Sequence, residues 1–175
     1  MARRLIPASD HPTAAAEVAG WLVAEWAHLY PDWDLTAATD ELLAVGPGGE
    51  PPITWLLFDD DSDPGTEEQH AGMRVIGSIG LALDGELGEP LDGTASRSGV
   101  WVVNLFVTPS ARGRGHGSVL LDHAVEHARG IATPDLLLTT EHSVAHYRSK
   151  GWTEIGTTSL NGHRCAVMTV STVTR

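Results

Sequence analysis

Seven consecutive residues carry much of the chemistry that this 175-residue sequence offers: Arg112-Gly113-Arg114-Gly115-His116-Gly117-Ser118. They stand between an apolar run that stops at Pro109 and an amphipathic stretch with Leu121, Ala124, Val125 and Ala128 on one face. The first amides of a helix have no internal acceptors, and with the helix dipole they make an anion site. Glycines let a diphosphate reach the backbone without a Cβ in the way. Arg112 and Arg114 add positive charge. Two common phosphate motifs do not fit. A P-loop ends in Gly-Lys-Ser/Thr, and there is no lysine here. A dinucleotide fingerprint needs Gly-x-Gly-x-x-Gly, but the third glycine falls one position early and no βαβ start precedes it. The alternative is a loop whose glycines only turn the chain; the clear strand before it and helix after it speak against that.

A second pattern, His123-x-x-Glu126-His127, has the spacing of a zinc-peptidase signature, and His142 and His146 repeat the i, i+4 interval. The helix that begins at the glycines needs Leu121, Val125 and Ala128 for the core. That turns His123 and His127 toward the other side, so the metallopeptidase reading is set aside and no metal is expected. The formal charge of −12 argues against nonspecific nucleic-acid or anionic-membrane binding and permits a cationic partner such as an amine. Much of the acid lies in one stretch, Asp59 to Glu68, expected to be a mobile, solvated loop over about 59–71. The single Cys165 has no internal disulfide partner, no apolar run could span a membrane, and no signal peptide is read at Met1 to Pro7; a reducing cytoplasm fits best.

Hydrophobic periodicity predicts the elements that position these residues. Strands are expected at Arg3–Ala8, Ile53–Phe58, Met73–Leu83, Gly99–Thr108, Leu136–Thr140, Trp152–Thr157 and Arg164–Val170. Helices are expected from Pro12 to about His28, capped by Ser9 or Asp10; from Thr36 to Val45, with Thr36 or Thr39 near its start; from the glycines to about Arg129; and from His142 to Lys150. Gly77 and Gly80 mark bulge points, and Asp84–Ser98 reads as a long hairpin connection. The order β-α-α-β-β-β-α-β-α-β-β gives an α/β fold with a mixed sheet, in one domain spanning residues 1–175.

This order, together with Arg112-Gly113-Arg114-Gly115-His116-Gly117, resembles the GNAT acetyltransferases and their Arg/Gln-x-x-Gly-x-Gly/Ala motif along nearly the whole chain. The resemblance implies acetyl-CoA as cosubstrate, with backbone amides from Arg112 to Ser118 on the pyrophosphate and Leu105, Phe106 and Val107 beside the pantetheine arm. It extends to Leu136–Trp152, similar to the family's strand and short helix ending in Phe-Tyr-x-x-x-Gly-Phe. Tyr147 and Gly151 stand in register there, while Thr140, Ser143 and His146 replace the usual Asn, Ala and Phe. It implies Tyr147 as the general acid that protonates the departing thiolate. The base is not fixed: Glu141 and His142, past the end of a strand, are candidates, as are Glu25, Asp32 and Asp34, and each also reads as a surface or capping group. The resemblance places the acceptor between Trp26–Asp34 and Gly156–His163, with Trp26, Tyr30, Asp32 and Trp33 as an aromatic and acidic lip suited to an ammonium group, although Trp26 and Tyr30 also read as core. The expected activity is transfer of an acetyl group to a primary amine of a small molecule or peptide, by a monomer or homodimer. The rival is a noncatalytic acyl-CoA-binding protein on the same fold.

Overall fold

A computed structural model describes residues 2–60, 73–83, 89–90 and 99–173. In chain order the strands are β1 (Ala2–Pro7), β2 (Ile53–Asp60), β3 (Met73–Leu83), β4 (Glu89–Pro90), β5 (Val100–Val107), β6 (Asp135–Thr140), β7 (Thr153–Leu160) and β8 (His163–Ser171). The helices are α1 (Pro12–Trp26), α2 (Leu35–Leu43), α3 (His116–Gly130) and α4 (Val144–Ser149). All eight strands join one sheet in the order β1-β2-β3-β5-β6-β8-β7-β4. Among the described residues only β5 and β6 run parallel. They are linked through α3, the crossover that a parallel pair requires.

Alternation along the strands sorts the core onto the two faces. Ile53, Trp55 and Leu57 of β2 join Ile76, Ile79 and Leu81 of β3 under α3, whose Leu120, Leu121, Ala124 and Ala128 are buried against them. Leu56, Phe58 and Val75 face the other way and meet α1 and α2 through Val18, Ala19, Leu22, Ala38 and Leu42. The sheet is thus covered on both sides where the chain leads into the glycine turn.

Three local expectations are corrected. Neither Ser9 nor Asp10 caps α1: residues 8–10 form a 3₁₀ turn, and His11 occupies the cap position without a side-chain bond. Asp34 caps α2, its carboxylate accepting from the Ala37 amide at 2.8 Å, while Thr39 bonds back to the Leu35 carbonyl. The helix therefore begins one residue before Thr36, where a carboxylate can satisfy an orphan amide. β2 runs on through Asp59 and Asp60, pairing them with Arg3 and Ala2. Asp59 is buried, so the acidic stretch starts as strand; residues 61–71 of the expected loop lie outside the described residues. Of the Asp84–Ser98 connection only β4 is described, a two-residue strand on the outer edge of β7.

Candidate active site

Two pairings hold the parallel strands together, Val100↔Leu136 and Trp101↔Leu137. Beyond them β5 stays on β3 through Val103↔Gly80, Phe106↔Ser78 and Val107↔Gly77. β6 stays on β8 as far as Thr140↔Ala166. The strands part, and a cavity of about 1030 Å³ opens between them. A bulge bends β5 at the opening: Asn104 and Leu105 stand opposite Ile79 alone, and Asn104 has φ 55°. Two bonds fix it. The Ser78 hydroxyl donates to the Asn104 carbonyl at 2.7 Å, and the Asn104 side-chain amide donates to Glu41 at 2.8 Å.

At one end of the cavity lies the glycine turn. Gly113 and Gly115 have φ of 76° and 80°, the left-handed region where other residues are strained. No side chain caps α3, whose N-cap is Gly115, so its first amides remain available to a ligand. His116 is buried at the first position of the helix, and its Nδ1 has no protein partner. Burial lowers its pKa, with the charge of Arg3 adding to the effect. An uncapped helix start and two left-handed glycines on the cavity wall suit a bound diphosphate. Arg112 is committed elsewhere: its Nε donates to the Val107 carbonyl at 2.9 Å, its guanidinium lies 5.5 Å from the Phe106 ring centroid, and it pairs loosely with Glu25 at 3.7 Å. It ties the end of β5 to α1.

Tyr147 stands on the facing wall, on α4. The turn leading into α4 is held by Thr140, whose hydroxyl accepts from the Ser143 amide at 3.0 Å, a bond that a side-chain amide could make equally well. Gly151 closes the helix at φ 85°, and Trp152 folds back so that its ring lies 5.9 Å from that of Tyr147. Burial pushes the Tyr147 phenol up to about 12, so it remains a proton donor throughout the neutral range.

The opposite end of the cavity is acidic and aromatic. Trp26, Tyr30 and Trp33 line it together with Glu41 and Glu141, while Glu25 lines the cavity beside Arg112. Trp26 and Trp33 also pack on the α1–α2 core, so they serve packing and lining at once. Asp32 is exposed and is not among the lining residues. Glu141 receives His28 Nε2 at 3.1 Å and His163 Nδ1 at 2.9 Å on its two oxygens, and His142 Nε2 lies 3.3 Å away. The hydrogen bonds from His28 and His163 hold its carboxyl below the usual carboxylate range. Asn161, in the β7–β8 turn, donates its side-chain amide to the His28 carbonyl at 2.7 Å and fastens this end shut.

The helical histidines follow a different course. His123 and His127 do not turn away from the sheet: both rings meet Trp55 edge-on, with centroids 4.7 and 4.6 Å away. His127 Nε2 bonds the Gly49 carbonyl at 2.7 Å. Glu126 points outward to Arg129. Burial against a tryptophan lowers the His123 pKa. The zinc-peptidase spacing is therefore absorbed by packing.

Residues 66–154, a little over half of the chain, match the acetyltransferase (GNAT) domain family. The chain belongs to the GNAT acetyltransferases. Its fold is that of an aminoglycoside 6'-N-acetyltransferase complexed with coenzyme A, at 13% identity and TM-score 0.67, over 100% of this chain and 99% of that one. Arabidopsis thaliana NAA60 with a bisubstrate analogue is similar at 16% identity and TM-score 0.64, over 97% and 99%. N-acetylglutamate synthase from Neisseria gonorrhoeae, complexed with coenzyme A and N-acetyl-glutamate, is similar at 15% and 0.65, over 99% of this chain but 36% of that chain. No curated protein matches in sequence. No helix among the described residues is long and apolar enough to cross a membrane.

Within this GNAT cavity the fold brings together Leu105, Phe106, Val107, Arg112, Gly113, Gly115, His116, Gly117 and Ser118 with Tyr147, Glu141 and His142. Arg114 is exposed and is not among the residues that line it. Sequence reasoning missed Asn104 and Glu41 as site residues, and within the expected acceptor segments Trp26–Asp34 and Gly156–His163 it singled out neither His28 nor His163. His28 and His163 lie 113 and 22 positions from Glu141, so no local spacing announces them. Asn104 carried a weak signal, a polar residue inside an otherwise apolar strand.

Proposed function

We propose that residues 1–175 act as one acetyltransferase domain that moves the acetyl group of acetyl-CoA to a primary amine of a small molecule or peptide. The observation that carries this reading is the parting of β5 from β6 directly above an uncapped, glycine-led helix, with the Tyr147 phenol and the Glu141 carboxylate in the same cavity. The amides from Arg112 to Ser118 hold the pyrophosphate. The main chain of Leu105 to Val107 makes no ladder to β6, and its groups, apart from the Val107 carbonyl that Arg112 holds, meet the pantetheine amides as a strand edge meets a peptide. Acetyl-CoA brings the activated thioester.

The acidic and aromatic end then selects the acceptor. Carboxylates and indole faces favour an ammonium group over a neutral or anionic one. Glu141 receives the proton that the amine must shed before it attacks. The amine nitrogen bonds to the acetyl carbon, the carbon–sulfur bond breaks, Tyr147 gives its proton to the leaving thiolate, and the second proton shed by the acylated nitrogen restores the phenol. Holding both reactants in one cavity makes the encounter effectively intramolecular.

Calorimetry with acetyl-CoA, followed by thiol release against a panel of aminoglycosides, polyamines, amino acids and short peptides, tests the proposal. Saturable heat and amine-dependent thiol release are expected. Heat without release for any amine would make this a noncatalytic acyl-CoA-binding protein, and no heat from folded protein would remove the donor site itself.

A further inference from the structure

His28, Glu141 and His163 come from three separate places: the loop after α1, the end of β6 and the start of β8. Their donor atoms nevertheless all lie within 4.8 Å of one another. Ligand bonds to Zn²⁺ are about 2.0–2.2 Å, which sets neighbouring ligand atoms of a tetrahedral site roughly 3.4 Å apart. His28 meets one oxygen of Glu141 at 3.1 Å and His163 the other at 2.9 Å, so an ion held by all three draws one oxygen and the two ring nitrogens together from a spread of at most 4.8 Å. We infer that these three side chains form a binding site for a divalent transition metal ion, with Zn²⁺ as the fitting probe, at the acceptor end of the cavity.

The donor set and its mounting both point this way. Two imidazoles and one carboxylate suit Zn²⁺, whereas Mg²⁺ and Ca²⁺ call for oxygen ligands throughout. Three protein ligands leave a fourth position for water or for a donor group of a molecule in the cavity, which His28 and Glu141 line. The mounting is rigid. Asn161 clamps the His28 main chain to the turn that also begins β8, and His163 is paired with Leu160 across that turn. Glu141 directly follows Thr140, which pairs with Ala166 of β8. The two rings already meet edge-on at 5.0 Å. A preformed arrangement of this kind avoids much of the ordering cost that ligand capture carries in a floppy loop.

Binding of the ion depends only on this geometry. Its consequence rests on the acetyltransfer reading: Zn²⁺ would occupy the carboxylate that receives the amine's proton, and so would inhibit by competing with the acceptor while leaving the donor end untouched.

Untagged protein, freed of metal by chelator, is titrated with Zn²⁺ by calorimetry and with Co²⁺ by visible absorption. One ion per chain is expected, with the ligand-field bands of four-coordinate Co²⁺. Glu141→Gln, which keeps the side chain's shape, and His163→Ala are each expected to weaken Zn²⁺ binding by more than about 100-fold, beyond the loss of an outer-shell partner. His127→Gln leaves it unchanged. No uptake by the wild type, or uptake lost in His127→Gln but kept in both cluster variants, overturns the site. In the same preparation Zn²⁺ is expected to raise the KM for the amine with the heat of acetyl-CoA binding unaltered. If the protein binds Zn²⁺ but transfers no acetyl group, the metal site stands and the catalytic reading falls.

Discussion

The two ends of the cavity are built on opposite plans. The glycine turn is contiguous, seven residues long, and meets its ligand mainly through backbone amides that the fold leaves uncapped. The acceptor end is assembled from side chains of three distant segments, held by the Asn161 clamp and by the hydrogen bonds of Glu141. A main-chain site tolerates changes of side chain as long as the left-handed glycines remain. A side-chain site can be redirected by one substitution without disturbing the fold. The contrast teaches that, under the proposed function, donor recognition is a property of the backbone path and acceptor recognition a property of a few exchangeable groups.

Tyr147, placed between the ends, gives the sharpest way to break that contrast. Tyr147→Phe is expected to lower kcat by roughly 10²–10⁴-fold, the range for a general acid, while the heat of acetyl-CoA binding stays as it was. Unchanged turnover would return the phenol to packing against Trp152. Glu141→Gln is expected to lower kcat/KM for the amine by about 10²-fold and to leave donor affinity alone; a variant that loses donor binding instead would show the ends to be one unit. At the other end, Gly115→Val forces a branched residue to φ 80°. That strain, about 1–3 kcal/mol, should appear as weaker acetyl-CoA binding, roughly 5- to 150-fold by calorimetry, or as a lower melting temperature.

Proton linkage supplies a finer test. The Tyr147 phenol is raised from 10.0 to about 12 in the fold, so the native state holds this proton more tightly than the unfolded chain. The resulting stabilisation is fully present below pH 10 and is lost as pH rises toward 12. Tyrosinate absorbance of the wild type against Tyr147→Phe should show the missing titration only at that alkaline end. The smallest effect belongs to His127→Ala, which removes a bond to the Gly49 carbonyl and an edge contact on Trp55. A cost of about 1–2 kcal/mol in urea unfolding is expected, with acetyl transfer unaltered.

The donor end could be read from the chain because its chemistry is local. A strand stop, Gly113, Gly115 and Gly117, and a helix with one apolar face sit within some twenty residues, and the structure places all three glycines on the cavity wall. The acceptor end could be read only in part. Trp26, Tyr30, Trp33 and Glu141 were within reach of a sequence argument, because residues after a helix and after a strand end tend to gather at one edge of the sheet. His28 and His163 were not, since their meeting depends on β8 inserting between β6 and β7. The helical pair His123 and His127 misled for the converse reason. Their spacing is legible, but Trp55 arrives from β2, separated from α3 by three strands along the chain, and claims both rings. Capping failed in a similar way at Asp34, where propensity alone could not choose between Thr36 or Thr39 and a carboxylate two residues before Thr36.

The narrow join between β5 and β6 has a mechanical side. Two register pairs are the whole ladder linking β1, β2, β3 and β5 to the block of β6, β8, β7 and β4. The blocks share α3 and one apolar core, so the seam is where the backbone ladder is thinnest rather than where packing ends. A molecule laid along the gap stitches the two together. Slower amide exchange at Leu105 to Val107 and at Leu138 to Thr140 would then report occupancy from both sides of the seam at once.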